Sequence, residues 1–139
     1  VDQVEEAIKR YTQELRDRQV TFVIRLPEDI KKTLEKDRRH EPPCLSLIDT
    51  EVYEGQLNLT CYFRSWDAYA GLPANIAGIQ LFNEALVSEI NRRGDLNLRT
   101  GKLIFHSKNC HIYERQYGMV EEKVKPGEDR RRKMLGANK

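Results

Sequence analysis

The sequence lacks long apolar runs, a cysteine pattern and a strong net charge, and each absence excludes a class of protein. No apolar run approaches the ~18 residues of a membrane span, so we predict no membrane partner. The three cysteines have no repeating spacing, which argues against a disulfide framework and favours a reducing, cytoplasmic setting. The net charge of +2 argues against a nucleic-acid partner. We also predict no metal site.

What is present is a chain of 139 residues, which is long enough for one domain with its own core. From Glu121 onward there are seven Lys or Arg residues against four Asp or Glu residues. We therefore predict that residues 1–121 form the domain and that residues 122–139 form a basic, disordered tail. An RNA contact by this tail is the weaker alternative.

The spacing of the apolar residues predicts the elements of the domain. Spacings of three and four predict helices, whereas alternating or β-branched stretches predict strands. In chain order we expect a helix over 2–16, a strand over 20–26, a short helix from Pro27, a hairpin of strands 44–53 and 56–63, and a helix over about 74–92. Residues 101–116 should form a strand that leads into a new turn or helix. This order predicts an α+β fold, with a mixed, twisted β-sheet and a long buried helix.

The predicted hairpin brings a thiol near a cation. Pairing across the turn at Glu54-Gly55 places position 44 roughly opposite 64 or 65. Cys44 then lies near Arg64 and Ser65. A nucleophilic cysteine needs such a cation or donor, although a free cysteine is more often an ordinary core residue. The Arg-Ser pair could also bind a phosphate, through a planar fork of donors and a hydroxyl.

Four other polar residues have positions that suggest a site. Asp67 precedes a Gly-bearing turn, where it could simply form an Asx turn. Asn75 follows Pro73 in the first turn of an apolar helix, and its amide could cap that helix or pair with a flat ring. His111 and Tyr113 are two residues apart in a predicted strand and should share one face. They could be ordinary polar residues or could hold sugar hydroxyls.

Taken in order, these motifs resemble the thymidylate synthase family, which includes the pyrimidine-nucleotide hydroxymethylases. The resemblance covers about residues 2–120 and rests on Pro43-Cys44, on the runs 64–67 and 71–77, and on 111–113. It implies a thymidylate-synthase-like fold and the conversion of dUMP to dTMP with methylenetetrahydrofolate. It also implies a homodimer in the intact protein, formed through the sheet face opposite the active site.

The resemblance implies roles for three catalytic residues. Cys44 would be the thiol that adds to C6 of the pyrimidine, which converts C5 into a carbon nucleophile. Arg64 would hold the nucleotide phosphate and would lie close enough to Cys44 to favour its thiolate. Asn75 would contact N3 and O4 of the base, which supports uracil over cytosine.

The resemblance also implies a set of binding residues. Ser65 would share the phosphate with Arg64. Asp67 would contact the pterin of the folate or the base edge, and His111 and Tyr113 would bind the deoxyribose hydroxyl. An Arg pair from the partner subunit should complete the phosphate site, and here only Arg18 falls in register with that pair.

The match to the family pattern is incomplete. The N-terminal segment that carries a phosphate-loop Arg and a catalytic Glu has no counterpart, and neither does the closing C-terminal segment. We therefore expect this chain to be the C-terminal part of a longer enzyme, with little activity by itself. Two alternatives stay open: a pyrimidine nucleotide hydroxymethylase on the same scaffold, and a non-catalytic nucleotide-binding or dimerisation module.

Overall fold

The computed structural model describes residues 2–35 and 41–134. Helices and strands alternate irregularly along these residues, which confirms the predicted α+β class. The elements are α1 (Gln3–Gln13), β1 (Thr21–Val23), α2 (Pro27–Leu34), β2 (Leu45–Tyr53), β3 (Gln56–Phe63), β4 (Trp66–Asp67), α3 (Gly71–Gly94), β5 (Arg99–Ser107), β6 (Cys110–His111), a 3₁₀ turn (Glu114–Gln116) and α4 (Tyr117–Met134). None of the helices in these two described ranges is both long enough and apolar enough to cross a membrane.

The main sheet is mixed and has the strand order β1-β2-β3-β5. Strand β2 pairs antiparallel with both β1 and β3, whereas β3 and β5 run parallel and are connected by the long helix α3. Strands β4 and β6 form a separate, short parallel pair beyond the ends of β3 and β5. The mixed sheet and the long helix confirm the predicted architecture.

The hairpin turn between β2 and β3 lies at the predicted residues. Glu54 has a φ of 49° and Gly55 a φ of 71°. A tight two-residue hairpin of type I′ needs positive φ at both central positions, which glycine adopts without steric cost. The turn therefore fixes the pairing of the two strands from Tyr53↔Gln56 onward.

The core lies on one face of the sheet, beneath α1 and α3. Alternate residues of β3 point into it, and each fully buried Leu or Ile stabilises the fold by about 1.5–3 kcal/mol relative to an exposed one. Phe22 from β1 meets Phe82 from α3 edge to face, with ring centroids 5.3 Å apart. The principal buried residues are Ile8, Tyr11, Leu57, Leu59, Cys61, Phe63, Ile79, Leu86 and Ile90.

Helix α3 differs from its prediction at both ends. It begins at Gly71 instead of residue 74 and continues to Gly94 instead of residue 92, and the left-handed residue after it is Asp95, with a φ of 49°, not the glycine that is usual there. Gly94 has a packing role instead, because a Cβ there would lie 2.8 Å from Cδ1 of Leu96 and 3.2 Å from Cγ2 of Thr12. The end of α3 thus packs tightly against the end of α1.

The segment from residue 122, predicted as a basic and disordered tail, begins with helical residues in its described part. Residues 122–134 belong to α4, and residues 135–139 lie outside the described residues. Glu, Lys and Arg are good helix formers, and Lys125 lies 3.9 Å from Glu121 one turn earlier. Lys123 also lies over the ring of Tyr69, 4.9 Å from its centroid. The division into a domain and a tail stays a prediction.

Candidate functional site

A bulge in β2 sets the position of Cys44. The register between β2 and β3 shifts between Leu45 and Leu47, so Ser46 is the extra residue. Leu45 consequently pairs with Phe63, and the backbone N–H of Arg64 donates to the carbonyl of Cys44 at 2.9 Å. Bulges of this kind redirect the strand and its side chains. The predicted proximity of positions 44 and 64 is confirmed at the level of the backbone.

The side chain of Arg64 holds the loop that leads into Cys44. Its Nη2 donates to the carbonyl of Pro42 at 2.8 Å and its Nε donates to that of Pro43 at 3.2 Å. The tandem prolines leave these carbonyls in a stiff, extended segment. Arg64 therefore fixes the approach of the chain to the exposed thiol of Cys44.

Strand β4 continues from the end of β3 and brings Ser65 to His111. The N–H of Trp66 donates to the carbonyl of Asn109, and that of Ala68 donates to the carbonyl of His111, both at 2.8 Å. This short parallel ladder places Ser65 Oγ and His111 Nδ1 3.2 Å apart, within hydrogen-bonding distance. Ser65, predicted to bind the phosphate, and His111, predicted to bind the sugar, thus come together although they are far apart in sequence.

His111 and Tyr113 are close together, but not as members of one strand. β6 ends at His111, and Tyr113 precedes the 3₁₀ turn. Their rings meet edge to face with centroids 4.9 Å apart, and the guanidinium of Arg115 lies 4.5 Å from the centroid of Tyr113. The predicted strand is already interrupted between β5 and β6, where the hydroxyl of Ser107 donates to the carbonyl of Asn109 at 2.8 Å.

Asp67 is held as an ionised carboxylate by several donors. Its Oδ1 accepts from the N–H groups of Tyr69 and Ala70, and its Oδ2 accepts from Nε2 of Gln116 at 3.2 Å. Burial raises the pKa of Asp67, but these hydrogen bonds and the nearby His111 outweigh it and hold that pKa below its ordinary value. The predicted Asx turn is present and is part of this arrangement.

Gln116 is a site residue that the sequence did not reveal. Its side chain is only 5% exposed. While Nε2 donates to Asp67, Oε1 accepts from the N–H of Tyr113 at 3.0 Å. One amide thus connects the β4 segment to the chain after β6 and satisfies polar groups on both.

Asn75 is the fifth residue of α3, and its side chain is oriented by Trp66. The indole N–H of Trp66 donates to Asn75 Oδ1 at 2.8 Å. Trp66 is itself fixed by a stack on Phe63, with centroids 4.3 Å apart and an angle of 6° between the rings. Because an indole N–H can only donate, it determines which end of the Asn75 amide carries the oxygen.

An open groove of about 740 Å³ lies beside these elements. It is lined by the Arg64-Ser65 pair on one side and by the segment 108–110 on the other, with Arg25 as a further member. Two of the three cysteines of the chain, Cys44 and Cys110, are exposed near this end of the sheet. Cys61 is fully buried, and burial raises its thiol pKa to about 11, so it is unsuited to be a nucleophile.

Arg18 is the predicted site residue that the structure does not bring to this corner. It lines a cavity of about 440 Å³ on the face of the sheet that the helices leave uncovered, together with Asp49, Glu51 and Lys102. The loop between α1 and β1 leads it to that face. Within one chain, Arg18 is therefore separate from the groove that Arg64 and Ser65 line.

The sequence profile described as Thymidylate synthase matches residues 1–135, nearly the whole chain. The chain belongs to the thymidylate synthase family. Cys44, Arg64, Ser65, Asp67, Asn75, His111 and Tyr113 all fall inside the matched range.

Individual members of the family are similar over about half of their own length. A protein named "Putative thymidylate synthase" from Methanothermobacter marburgensis is 33% identical over 127 residues, which cover 91% of this chain and 52% of that protein. A protein named "Thymidylate synthase" from Vesicomyosocius okutanii is 26% identical over 125 residues, covering 81% and 45% respectively. The present chain thus spans about half the length of these thymidylate synthase relatives.

Proposed function

We propose that the protein carrying this chain is a thymidylate synthase-type methyltransferase that converts dUMP to dTMP. One observation supports this most directly. An exposed thiol, Cys44, lies at the bulged end of a hairpin, and its backbone carbonyl accepts a hydrogen bond from the N–H of Arg64. The next residue along the chain, Ser65, lies within hydrogen-bonding distance of His111. A nucleophile and a candidate phosphate site therefore occupy one corner of the fold.

In the proposed reaction, Cys44 is the nucleophile. Its thiolate sulfur forms a bond to C6 of the pyrimidine, and the π pair of the C5–C6 bond moves towards C5 and O4. C5 thereby gains the electron density it needs to form a new carbon–carbon bond. The amide of Asn75, oriented by Trp66, is proposed to contact the O4 and N3 edge of the same ring.

The nucleotide phosphate is proposed to bind at Arg64 and Ser65. An arginine carries five N–H donors, and Arg64 gives two of its own to the carbonyls of Pro42 and Pro43. The remaining donors are available for a phosphate, for which the guanidinium fork is well suited. His111 and Tyr113 are proposed to hold the deoxyribose hydroxyl.

Methylenetetrahydrofolate is the proposed co-substrate, and it would supply the one-carbon unit and the hydride. The residues present fit such a molecule at Asp67. An ionised carboxylate has about four lone-pair positions, and three N–H donors engage Asp67 in this structure. The carboxylate is thus held rigid and ionised while one acceptor position is left for a pterin or base N–H.

We also propose that the intact protein is a homodimer that works in the cytoplasm, where thiols stay reduced. The uncovered face of the sheet exposes Tyr53, Tyr62 and Ile104, which are apolar enough to be buried by a second copy. Arg18 lies at the same face. In this proposal, Arg18 reaches the phosphate of the partner subunit and not that of its own.

Covalent trapping of the nucleotide tests the proposal. The protein produced from its own gene is incubated with 5-fluoro-dUMP and methylenetetrahydrofolate, and its mass is measured. We expect an adduct of one nucleotide per chain that is lost in Cys44→Ala. Cys110→Ala is the matched control, because Cys110 is the other exposed thiol near this corner, and it should keep the adduct.

Two results would contradict the proposal in different ways. If the wild type forms no adduct yet binds dUMP, the chain belongs to a non-catalytic nucleotide-binding module. If Cys110→Ala loses the adduct and Cys44→Ala keeps it, the nucleophile is assigned to the wrong residue.

A further inference from the structure

The groove beside Arg64 and Ser65 contains more positive charge than the sequence motifs account for. Its lining residues are Arg25, Arg64, Ser65, Lys108, Asn109 and Cys110. Three of these six carry a positive charge and none carries a negative charge. Cations that face the same solvent space repel one another, so their assembly favours an anionic ligand.

Arg25 is a cation of this set whose side chain makes no hydrogen bond or ion pair that holds the described fold. Within residues 2–35 and 41–134, its guanidinium has no hydrogen-bond or ion-pair partner, and its Nε is shielded from solvent without an acceptor. Leaving a charged donor shielded and unpaired is unfavourable. By contrast, Arg10 and Arg93 each have carboxylate partners, and Arg64 has the proline carbonyls.

The backbone holds Arg25 firmly at this corner. The N–H groups of Ile24 and Arg25 both donate to the carbonyl of Ser46, at 2.9 and 3.0 Å. Ser46 is the bulge residue that sets the position of Cys44. On the other side, Pro27 begins α2 two residues later. The position of Arg25 is therefore tied to the same feature that positions the thiol.

We propose that Arg25 is an additional phosphate-binding residue, which donates to the same phosphate group as Arg64 and Ser65. A phosphate monoester dianion offers several acceptor oxygens, and the guanidinium groups of Arg25 and Arg64, which follow β1 and β3 on either side of β2 and line one groove, can each contact some of them. The ligand would also pair the shielded Nε of Arg25. This inference rests on the proposed function for the identity of the nucleotide, dUMP, but the chemistry that it requires is that of any phosphate monoester.

The test compares ligands with and without the phosphate. The affinities of dUMP, deoxyuridine and inorganic phosphate are measured by calorimetry or competition for the protein produced from its own gene. The variants are Arg25→Gln, Arg25→Lys and Arg64→Gln. Arg99→Gln is the matched control, because Arg99 is exposed and lies at the opposite end of the sheet, beside Gln56.

For Arg25→Gln we expect the affinities for dUMP and inorganic phosphate to fall about 10- to 100-fold, as is typical for loss of charge-assisted hydrogen bonds. Deoxyuridine affinity should stay within about twofold of the wild type, and Arg25→Lys should recover part of the loss. If Arg25 had only a structural role, Arg25→Gln would weaken the binding of deoxyuridine as well. The Arg99 variant should bind all three ligands like the wild type.

The outcomes separate this inference from the proposed function. If Arg64→Gln loses dUMP while Arg25→Gln binds it normally, the role of Arg25 is refuted and the phosphate site at Arg64 stands. Equal losses of dUMP and deoxyuridine in Arg25→Gln would also refute it. If the wild type binds none of the three ligands, both the inference and the proposed nucleotide site are overturned.

Discussion

A buried hydroxyl pair offers the sharpest test of what attaches α1 to the sheet. Tyr11 is 0% exposed, and its hydroxyl lies 2.7 Å from Oγ1 of Thr50. Thr50 Oγ1 donates to the carbonyl of Val20 at 2.6 Å, so the tyrosine must be the donor in the first bond. The carbonyl of Val20 also accepts from the backbone N–H of Thr50 at 3.2 Å.

Removing the threonine hydroxyl alone should therefore be more harmful than removing both hydroxyls. Thr50→Val leaves the buried tyrosine hydroxyl without an acceptor, which should lower the free energy of unfolding by about 1–3 kcal/mol. Tyr11→Phe leaves the threonine bonded to Val20 and should cost only about 1 kcal/mol. In the double variant, no buried hydroxyl remains unpaired, so we expect it to be more stable than Thr50→Val alone.

The measurement is urea unfolding of the four proteins at pH 7, followed by circular dichroism. For a two-state domain, the midpoints and slopes give the free energies directly. Simple addition of the two single costs in the double variant would refute the donor–acceptor chain as described. A change in slope would instead indicate an altered unfolded or native state, and the cycle would then be repeated by thermal unfolding.

Three further predictions concern the core and the site. Burial raises the pKa of Tyr11 from 10.0 to about 12, so the folded state retains the proton at a pH where the unfolded state has lost it. The free energy of unfolding should therefore fall by roughly 2–3 kcal/mol between pH 10 and 12. Tyr11→Phe should lose less over that interval in base titrations monitored by fluorescence. Gly101→Ala should destabilise the β3–β5 pairing by about 1–3 kcal/mol in thermal unfolding, because the new Cβ would lie 2.8 Å from the carbonyl oxygen of Leu57. Gln116→Met removes a donor to Asp67, so the pKa of that carboxyl should rise, which an NMR titration of its resonance would detect; an unchanged value would contradict the role assigned to Gln116.

The features that depend on local pattern were predictable from the sequence. Alternation of apolar residues in β3 and the turn at Glu54-Gly55 determine which positions face each other across the hairpin. The opposition of Cys44 and Arg64 follows from that pairing. The helical spacing of α3 likewise puts Ile79, Leu86 and Ile90 on one face, and all three are buried, although Ile76 on the same face is exposed. In each case the feature is determined by residues that are close in sequence or by a short repeating spacing of apolar residues.

The features that depend on contacts between distant parts of the sequence could not be predicted from it. Gln116 donates to Asp67, which lies 49 residues earlier in the chain, and no local pattern shows this contact. In the sequence, Arg25 is an ordinary charged residue two positions before a proline. Its place beside the candidate site depends on the hydrogen bond from its backbone N–H to Ser46, which the sequence does not show. The signal that could have suggested Gln116 is weak: an amide three residues after Tyr113, where it can accept from that residue's N–H.

The parallel pairing of β3 with β5 implies an order of folding events. The bond from Arg64 to Pro43 spans 21 positions of sequence, whereas the contact of Ser65 with His111 spans 46 and requires α3 to be in place first. Closing the larger loop has the greater entropic cost, so the hairpin corner with its thiol should form before the histidine arrives. During refolding, the backbone N–H of Arg64, which donates to Cys44, should therefore become protected from hydrogen exchange before that of Ala68, which donates to His111.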